Sequence, residues 1–192
     1  MTITYERNPS YRNPLDINSV KQCTKCSMLG RDHVPSFGNI RAEVMIIGQS
    51  PGKKEVERCE PFVGHSGALL DMMLENAELD REEVYIANVL KCHPPDNRPG
   101  SDKEIYNCYN TWLKHEIAKL NPKLLILLGR DAFKALSIPN KFWKHGQSFK
   151  SQKRRYLVSY HPAYFLRQND LESFVQVGAK VRQILEYEDN SN

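Results

Sequence analysis

No apolar run in this chain approaches the roughly 18 consecutive residues that a membrane-spanning helix needs, so the sequence predicts no transmembrane segment. The start, Met1-Thr2-Ile3-Thr4-Tyr5-Glu6-Arg7, lacks the basic head and apolar stretch of a secretory signal. Internal repeats and low-complexity tracts are missing as well. So is a strong charge bias: 27 Lys and Arg against 23 Asp and Glu leave a net +4, which permits an anionic partner without demanding one. These absences predict a cytoplasmic protein with no membrane contact, in a compartment where thiols stay reduced and structural disulfides are not expected.

What is present fits one domain. At 192 residues with 40% hydrophobic content, the chain is long enough to bury a substantial core. It reads as a single unit over 1–192, with a polar, proline-bearing leader at 1–22 and a short tail at 188–192. Val44-Met45-Ile46-Ile47, Glu83–Val89 and Lys123–Gly129 are apolar runs of the kind that form strands covered on both faces. A hairpin is expected over Ser148–Ser159. Helices are expected from Ser66, from Ser101 or Asp102 to about Leu120, over Arg130–Leu136, and over about 171–187. Gly178 lies inside the last of these and predicts close packing against a neighbour, because glycine costs a helix about 1 kcal/mol. The alternation predicts an α/β fold: a three-layer α/β/α sandwich around a central, largely parallel sheet of four or five strands.

Two features carry chemistry. The first is the set of five cysteines. Cys23 and Cys26 form a C-x2-C pair, and two thiolates from one turn joined by two from afar make a four-cysteine site suited to zinc or an iron–sulfur cluster. The second is the loop Gly48-Gln49-Ser50-Pro51-Gly52, which ends the first strand where ligands collect in open α/β sheets. Asn88 and His161-Pro162-Ala163 end two further strands.

In order, Cys23-x2-Cys26, the Gly48–Gly52 loop, Pro61-Phe62-Val63-Gly64-x-x-Gly67, Val84-Tyr85-Ile86-Ala87-Asn88, Lys91-Cys92-His93-Pro94-Pro95 and the final His161-Pro162 are similar to the iron–sulfur uracil-DNA glycosylases of family 4. The likeness runs from about Cys23 to Tyr187. It implies a [4Fe–4S] cluster held by Cys23, Cys26, Cys92 and Cys108, with zinc as the alternative and Cys59 a bystander. It also implies an enzyme that flips uracil, or a related base, out of DNA and hydrolyses its N-glycosidic bond. Gly48, Gln49 and Ser50 would line the base pocket. Phe62 would stack on the base and Asn88 would read its N3–H/O4 edge. His161 would donate to the uracil oxygen on which charge develops.

Arg167, with Leu166, falls where such proteins drive a wedge into the duplex. The family's motif acid is absent, since Gln49 and Ser50 stand where most members have Glu and Ala or Gly. Glu55 is the nearest remaining acid, either to orient water beside Gln49 or to crowd the uracil C5 position against a thymine methyl, and an ordinary surface glutamate is the alternative. The cations of the hairpin turn, Lys150, Lys153, Arg154 and Arg155, are read either as a solvated turn or as contacts to DNA phosphates. The expected partner is DNA and the expected state a monomer. The alternative is a catalytically weak or inactive member that binds DNA or a protein partner through the same face.

Overall fold

Residues 22–26, 32–151 and 153–189 are described by the computed structural model. Most of the leader, and the tail beyond 189, lie outside the described residues; 188 and 189 continue the last helix. In chain order the strands and first helices are β1 (Phe37–Gly38), β2 (Val44–Gly48), α1 (Lys53–Arg58), α2 (His65–Asn76) and β3 (Tyr85–Asn88). Then come α3 (Asp102–Cys108), a π-turn at Tyr109–Leu113, α4 (Lys114–Leu120), β4 (Leu124–Leu128) and α5 (Arg130–Ala135). The chain closes with β5 (Ser148–Ser151), β6 (Arg154–Ser159), α6 (Pro162–Gln168) and α7 (Leu171–Asp189).

The sheet has six strands in the order β1-β3-β2-β4-β6-β5. The four inner strands are mutually parallel, while β1 and β5 add antiparallel edges. The strand beyond the expected four or five is β1, and two residues carry no periodicity by which to find it. Val44, Ile46, Ile86, Ile126 and Leu157 bury one face of the sheet with Leu70 and Met73 of α2 and Phe174 and Val181 of α7. Met45, Ile47, Leu125, Leu127 and Val158 bury the other, with Ile105, Leu113, Ile117 and Phe133. Three layers result, as the alternation of elements predicts.

Local chemistry explains the helix bounds. Ser101 Oγ accepts from the Glu104 amide while Glu104 accepts from the Ser101 amide, a reciprocal cap that starts α3. The expected helix then runs to Leu120, but through the π-turn. The helix expected from Ser66 starts at His65 with Gly64 at its capping position. Helix α1 falls in what reads only as a charged segment: it has no buried residue, so no apolar stripe betrays it. A Cβ on Gly178 would lie 2.2 Å from the Met73 carbonyl oxygen, so α7 crosses α2 as closely as its glycine predicts. Among the described residues no helix is long and apolar enough to cross a membrane.

Strand register decides where the loops meet. Gly48 pairs with Asn88 and Leu128 with Ser159, so the parallel strands finish level, and their loops leave one edge of the sheet together.

Candidate active site

The site is built on Gly48. A Cβ there would lie 2.5 Å from Asn88 Oδ1 and 2.5 Å from Phe62 Cζ, so only glycine lets those two side chains meet over the strand end. The loop beyond is pinned from the neighbouring strand. Val89 N–H donates to Gly48 O at 3.0 Å and Leu90 N–H to Gln49 O at 3.0 Å. His93 Nδ1 lies 2.8 Å from Pro51 O and, facing a carbonyl, must carry the proton. Gln49 and Ser50 are half-buried within this loop.

Phe62 is buried, and its backbone is left-handed at φ +56°, a region that bulky residues rarely adopt. Such strain persists only where the surroundings over-determine it, and here they do. One Nη2 of Arg81 donates to Pro61 O at 2.7 Å and to Phe62 O at 2.9 Å, while its Nη1 pairs with Asp71 at 2.6 Å. A Cβ on Gly67 would fall 1.8 Å from Phe62 O, so α2 also approaches that carbonyl through a glycine. Glu55 completes the clamp. Its Oε2 accepts from Gly52 N–H at 3.0 Å, and its Oε1 from Val63 and Gly64 N–H at 2.9 and 2.8 Å. Both carboxylate oxygens are therefore spent on backbone amides, Oε1 on the two residues after Phe62 and Oε2 on Gly52 at the start of α1.

Asn88 is buried at 4% exposure, and its Oδ1 has no hydrogen-bond partner. A buried acceptor without a donor costs about 1–3 kcal/mol and marks a place where a ligand can supply one. Its backbone carbonyl is held by Lys91 Nζ at 3.1 Å. That ammonium is fully buried, pairs with Glu116 at 2.7 Å and donates to Ser36 Oγ at 2.7 Å.

His161 caps α6, and its Nδ1 accepts from Ala163 N–H at 3.2 Å. Pro162 provides the first helical residue, which needs no amide. An accepting Nδ1 leaves the proton of the neutral ring on Nε2. Burial first, then the Arg167 cation, lower the pKa of His161 to about 4, against an upward pull from Glu55. The ring stacks on Phe62 at 5.7 Å between centroids, with the planes 27° apart. Gly129 abuts His161 from the β4 side: a Cβ there would meet the histidine Cβ at 3.2 Å.

The four cysteines converge. Cys23, Cys26, Cys92 and Cys108 line one hollow between the C-x2-C turn and α3, and Cys59 is not among its lining residues. Asn107 Nδ2 donates to Lys25 O at 2.9 Å and ties the turn to the helix. Burial, followed by the neighbouring cysteines, pushes Cys92 up to about 12; burial does the same to Cys108, eased by the Lys91 charge and by its amide 3.4 Å from Sγ. Thiols that oppose one another's ionisation in this way need a cation to ionise together, and an all-sulfur donor set suits iron–sulfur or zinc. Among the described residues, no three His, Cys, Asp or Glu side chains are already set at metal-binding spacing.

The basic turn is elsewhere. Arg154 and Arg155 open β6, level with Leu124 at the amino ends of the strands, whereas His161 follows its carboxyl end. Arg154 is engaged with Ile117 O and Asn121 Oδ1, and the Arg155 guanidinium lies 5.2 Å over Tyr187. Lys150 pairs with Arg155 across the hairpin, and Lys153 sits in its turn. Nearness in sequence to His161 therefore does not bring these cations to the pocket. Arg167 does come close, exposed near the end of α6, with Leu166 half-buried beside it.

Four residues that hold the site carry no role by sequence alone. Lys91 and His93 stand beside Cys92 in a segment notable only for its cysteine, and Gly67 closes the motif that begins at Pro61. Arg81 falls in a charged turn with no signal at all.

With this strand-end constellation on a three-layer α/β/α sheet, the chain belongs to the uracil-DNA glycosylase superfamily, whose family model matches residues 35–184. Its relatives narrow the placement to the type-4 branch. It is 33% identical over 184 residues to the type-4 uracil-DNA glycosylase of Sulfurisphaera tokodaii, covering 86% of this chain and 81% of that protein. With the type-4 protein of Thermotoga maritima it shares 32% over 166 residues, 80% of this chain and 82% of that one. With that of Archaeoglobus fulgidus the figure is 39% over 118 residues, 60% of this chain but 59% of the relative, less than two thirds of its length.

Proposed function

We propose that the chain excises uracil from DNA by hydrolysing the N-glycosidic bond, in the service of base-excision repair. The observation that carries this reading is the unpartnered Asn88 Oδ1, buried between Phe62 and the strand end. Uracil bears a donor at N3 and an acceptor at O4. An Asn amide meets both, with Oδ1 accepting from N3–H and the NH2 donating to O4. Cytosine offers an acceptor at N3 and a donor at C4, so it would face like against like at both positions. Discrimination by unmatched buried polar groups is strong.

Bond cleavage leaves the electron pair on the base, which departs as an anion while the sugar becomes oxocarbenium-like. Nε2–H of a neutral His161 donates to the uracil O2 as that charge grows, from a ring already locked by its helix cap. Arg167 adds a favourable positive potential. Water then adds to C1′ and loses its proton to solvent. Gln49 can orient that water through its amide oxygen but cannot take the proton. Glu55, with both oxygens engaged, acts as a positioning residue for Phe62 rather than as the base.

Cys23, Cys26, Cys92 and Cys108 would hold a [4Fe–4S] cluster, with zinc the rival occupant. Such a group would supply structure rather than chemistry, stapling α3 and the Lys91–Pro94 segment that pins the Gly48 loop. The chain works as a single-domain monomer in a reducing, intracellular compartment. Incubation with a uracil-containing oligonucleotide, followed by alkaline cleavage of abasic sites, tests the reading. Strand scission at uracil is expected. DNA that is bound but never cut would point instead to a binding module.

A further inference from the structure

Beside His161 lies a strip of aromatic surface to which the uracil-excision reading gives no role. Tyr160 and Tyr164 are both exposed, at 36% and 40%, and their rings lie 4.8 Å apart with the planes tilted by 51°. Tyr160 stacks on His145 at 5.4 Å with planes 12° apart and reaches Trp143 at 5.9 Å. Exposed Arg130 caps the far end, its guanidinium 5.1 Å over Trp143. The strip is firmly backed: both tyrosines touch buried Phe165, which rests on Phe174 in the core.

Its position follows from the sheet. Tyr160 precedes His161, Tyr164 lies in the first turn of α6, and Arg130 follows the glycine that abuts His161. Rings alternating with a cation, adjoining a pocket for a flipped base, match what unpaired nucleotides need: π-faces for bases and positive charge for phosphates. Bases inside a duplex are already stacked and cannot lie on such a surface. The basic hairpin turn, at the other end of β6, offers no competing track to the pocket.

We infer that Tyr160 and Tyr164 form a stacking platform for an unpaired base next to the uracil, so that the chain prefers single-stranded uracil DNA to duplex. The inference rests on the uracil-excision reading. Its test uses oligonucleotides carrying one 2′-fluoro-deoxyuridine, which resists cleavage because fluorine disfavours the oxocarbenium ion. Affinity is measured by anisotropy for the single strand and for the same strand annealed. The wild type should bind the single strand more tightly. The double variant Tyr160→Leu/Tyr164→Leu, which keeps apolar volume, should weaken single-strand binding by roughly 5- to 150-fold, the scale of one lost base stack. Duplex binding should move by no more than about twofold on the same scale. Tyr160→Phe/Tyr164→Phe should retain wild-type affinity.

An equal loss on both substrates, no loss on either, or a loss in the Phe variant would overturn the platform. Unlabelled uracil DNA separates this from the parent reading. Excision by wild type together with an unaffected Leu variant sinks the platform alone, whereas a wild type that cuts no uracil sinks the function on which it rests.

Discussion

Replacing Glu55 with Gln tests whether this side chain holds the pocket or performs chemistry. The carboxylate accepts three backbone N–H groups at 2.8–3.0 Å, one through Oε2 and two through Oε1. Gln keeps one oxygen. With that oxygen on Val63 and Gly64, its NH2 faces the Gly52 N–H, donor against donor, and one amide is left unpaired at a cost of about 1–3 kcal/mol. The other two bonds lose charge assistance, at about 0.5–1.5 kcal/mol each by the difference between charged and neutral acceptors. The sum is about 2–6 kcal/mol of stability, or a fall of roughly 4–24 °C in Tm for a chain of this size. Phe62 depends on the same backbone, so uracil excision should slow through weaker base binding, visible as a raised KM with a smaller change in kcat. Differential scanning fluorimetry and steady-state kinetics on one preparation decide the matter. If kcat falls by about 10²-fold or more, the scale of a lost acid–base group, while Tm stays put, the clamp argument is refuted and Glu55 acts on water.

Restoring the family acid with Gln49→Glu should raise the single-turnover rate by something like 10²–10⁴-fold, the usual contribution of a placed acid–base group; an unchanged rate would show that water is positioned by another residue. With His161 lowered to about 4 by burial and Arg167, activity should be flat in this group from about pH 5 upward, and His161→Ala should cost about 10²-fold. The unfolded chain binds the extra proton between about pH 4 and its ordinary value of 6.5. The His161 contribution to stability is therefore full above pH 6.5 and lost as pH falls toward 4, which acid titration of Tm would follow. Anaerobically purified protein should be brown with broad absorbance near about 400 nm. Cys59→Ser should keep that colour and Cys108→Ser lose it, whereas zinc without iron would replace the cluster reading.

The layered fold can be read from the sequence because its core strands announce themselves: Val44–Ile47 and Leu124–Leu128 are unbroken apolar runs, and runs of that kind bury on both faces whatever surrounds them. Asn88 and His161 can be picked out because polar residues at strand ends have few other reasons to be there, and Phe62 through the Pro61-Phe62-Val63-Gly64 motif that resembles the family's. Register brings them together, and no local pattern encodes register between strands some forty residues apart. The basic turn shows the same limit from the other side. Arg155 and His161 are close along the chain, yet an extended strand carries its two ends to opposite edges of a sheet. Arg81 is invisible in sequence because its work, holding the Pro61 and Phe62 carbonyls, exists only after α2 has folded back between them.

On the proposed reading, the pairing of Gly48 with Asn88 ties substrate discrimination to the parallel register of the central sheet. Sliding β3 by one residue against β2 would turn its whole buried set to the opposite face, so the register cannot drift without dissolving both cores. The residue proposed to tell uracil from cytosine is thus held by the strand register, while Phe62 and His161 sit on segments outside the strand ladder. Amide exchange should divide along that line. Val89 and Leu90, whose N–H groups cross to Gly48 and Gln49, should exchange only with global unfolding, and Val63 and Gly64 through cheaper openings. Exchange of that pattern would mean that a base entering the proposed site meets an edge reader whose position the sheet fixes.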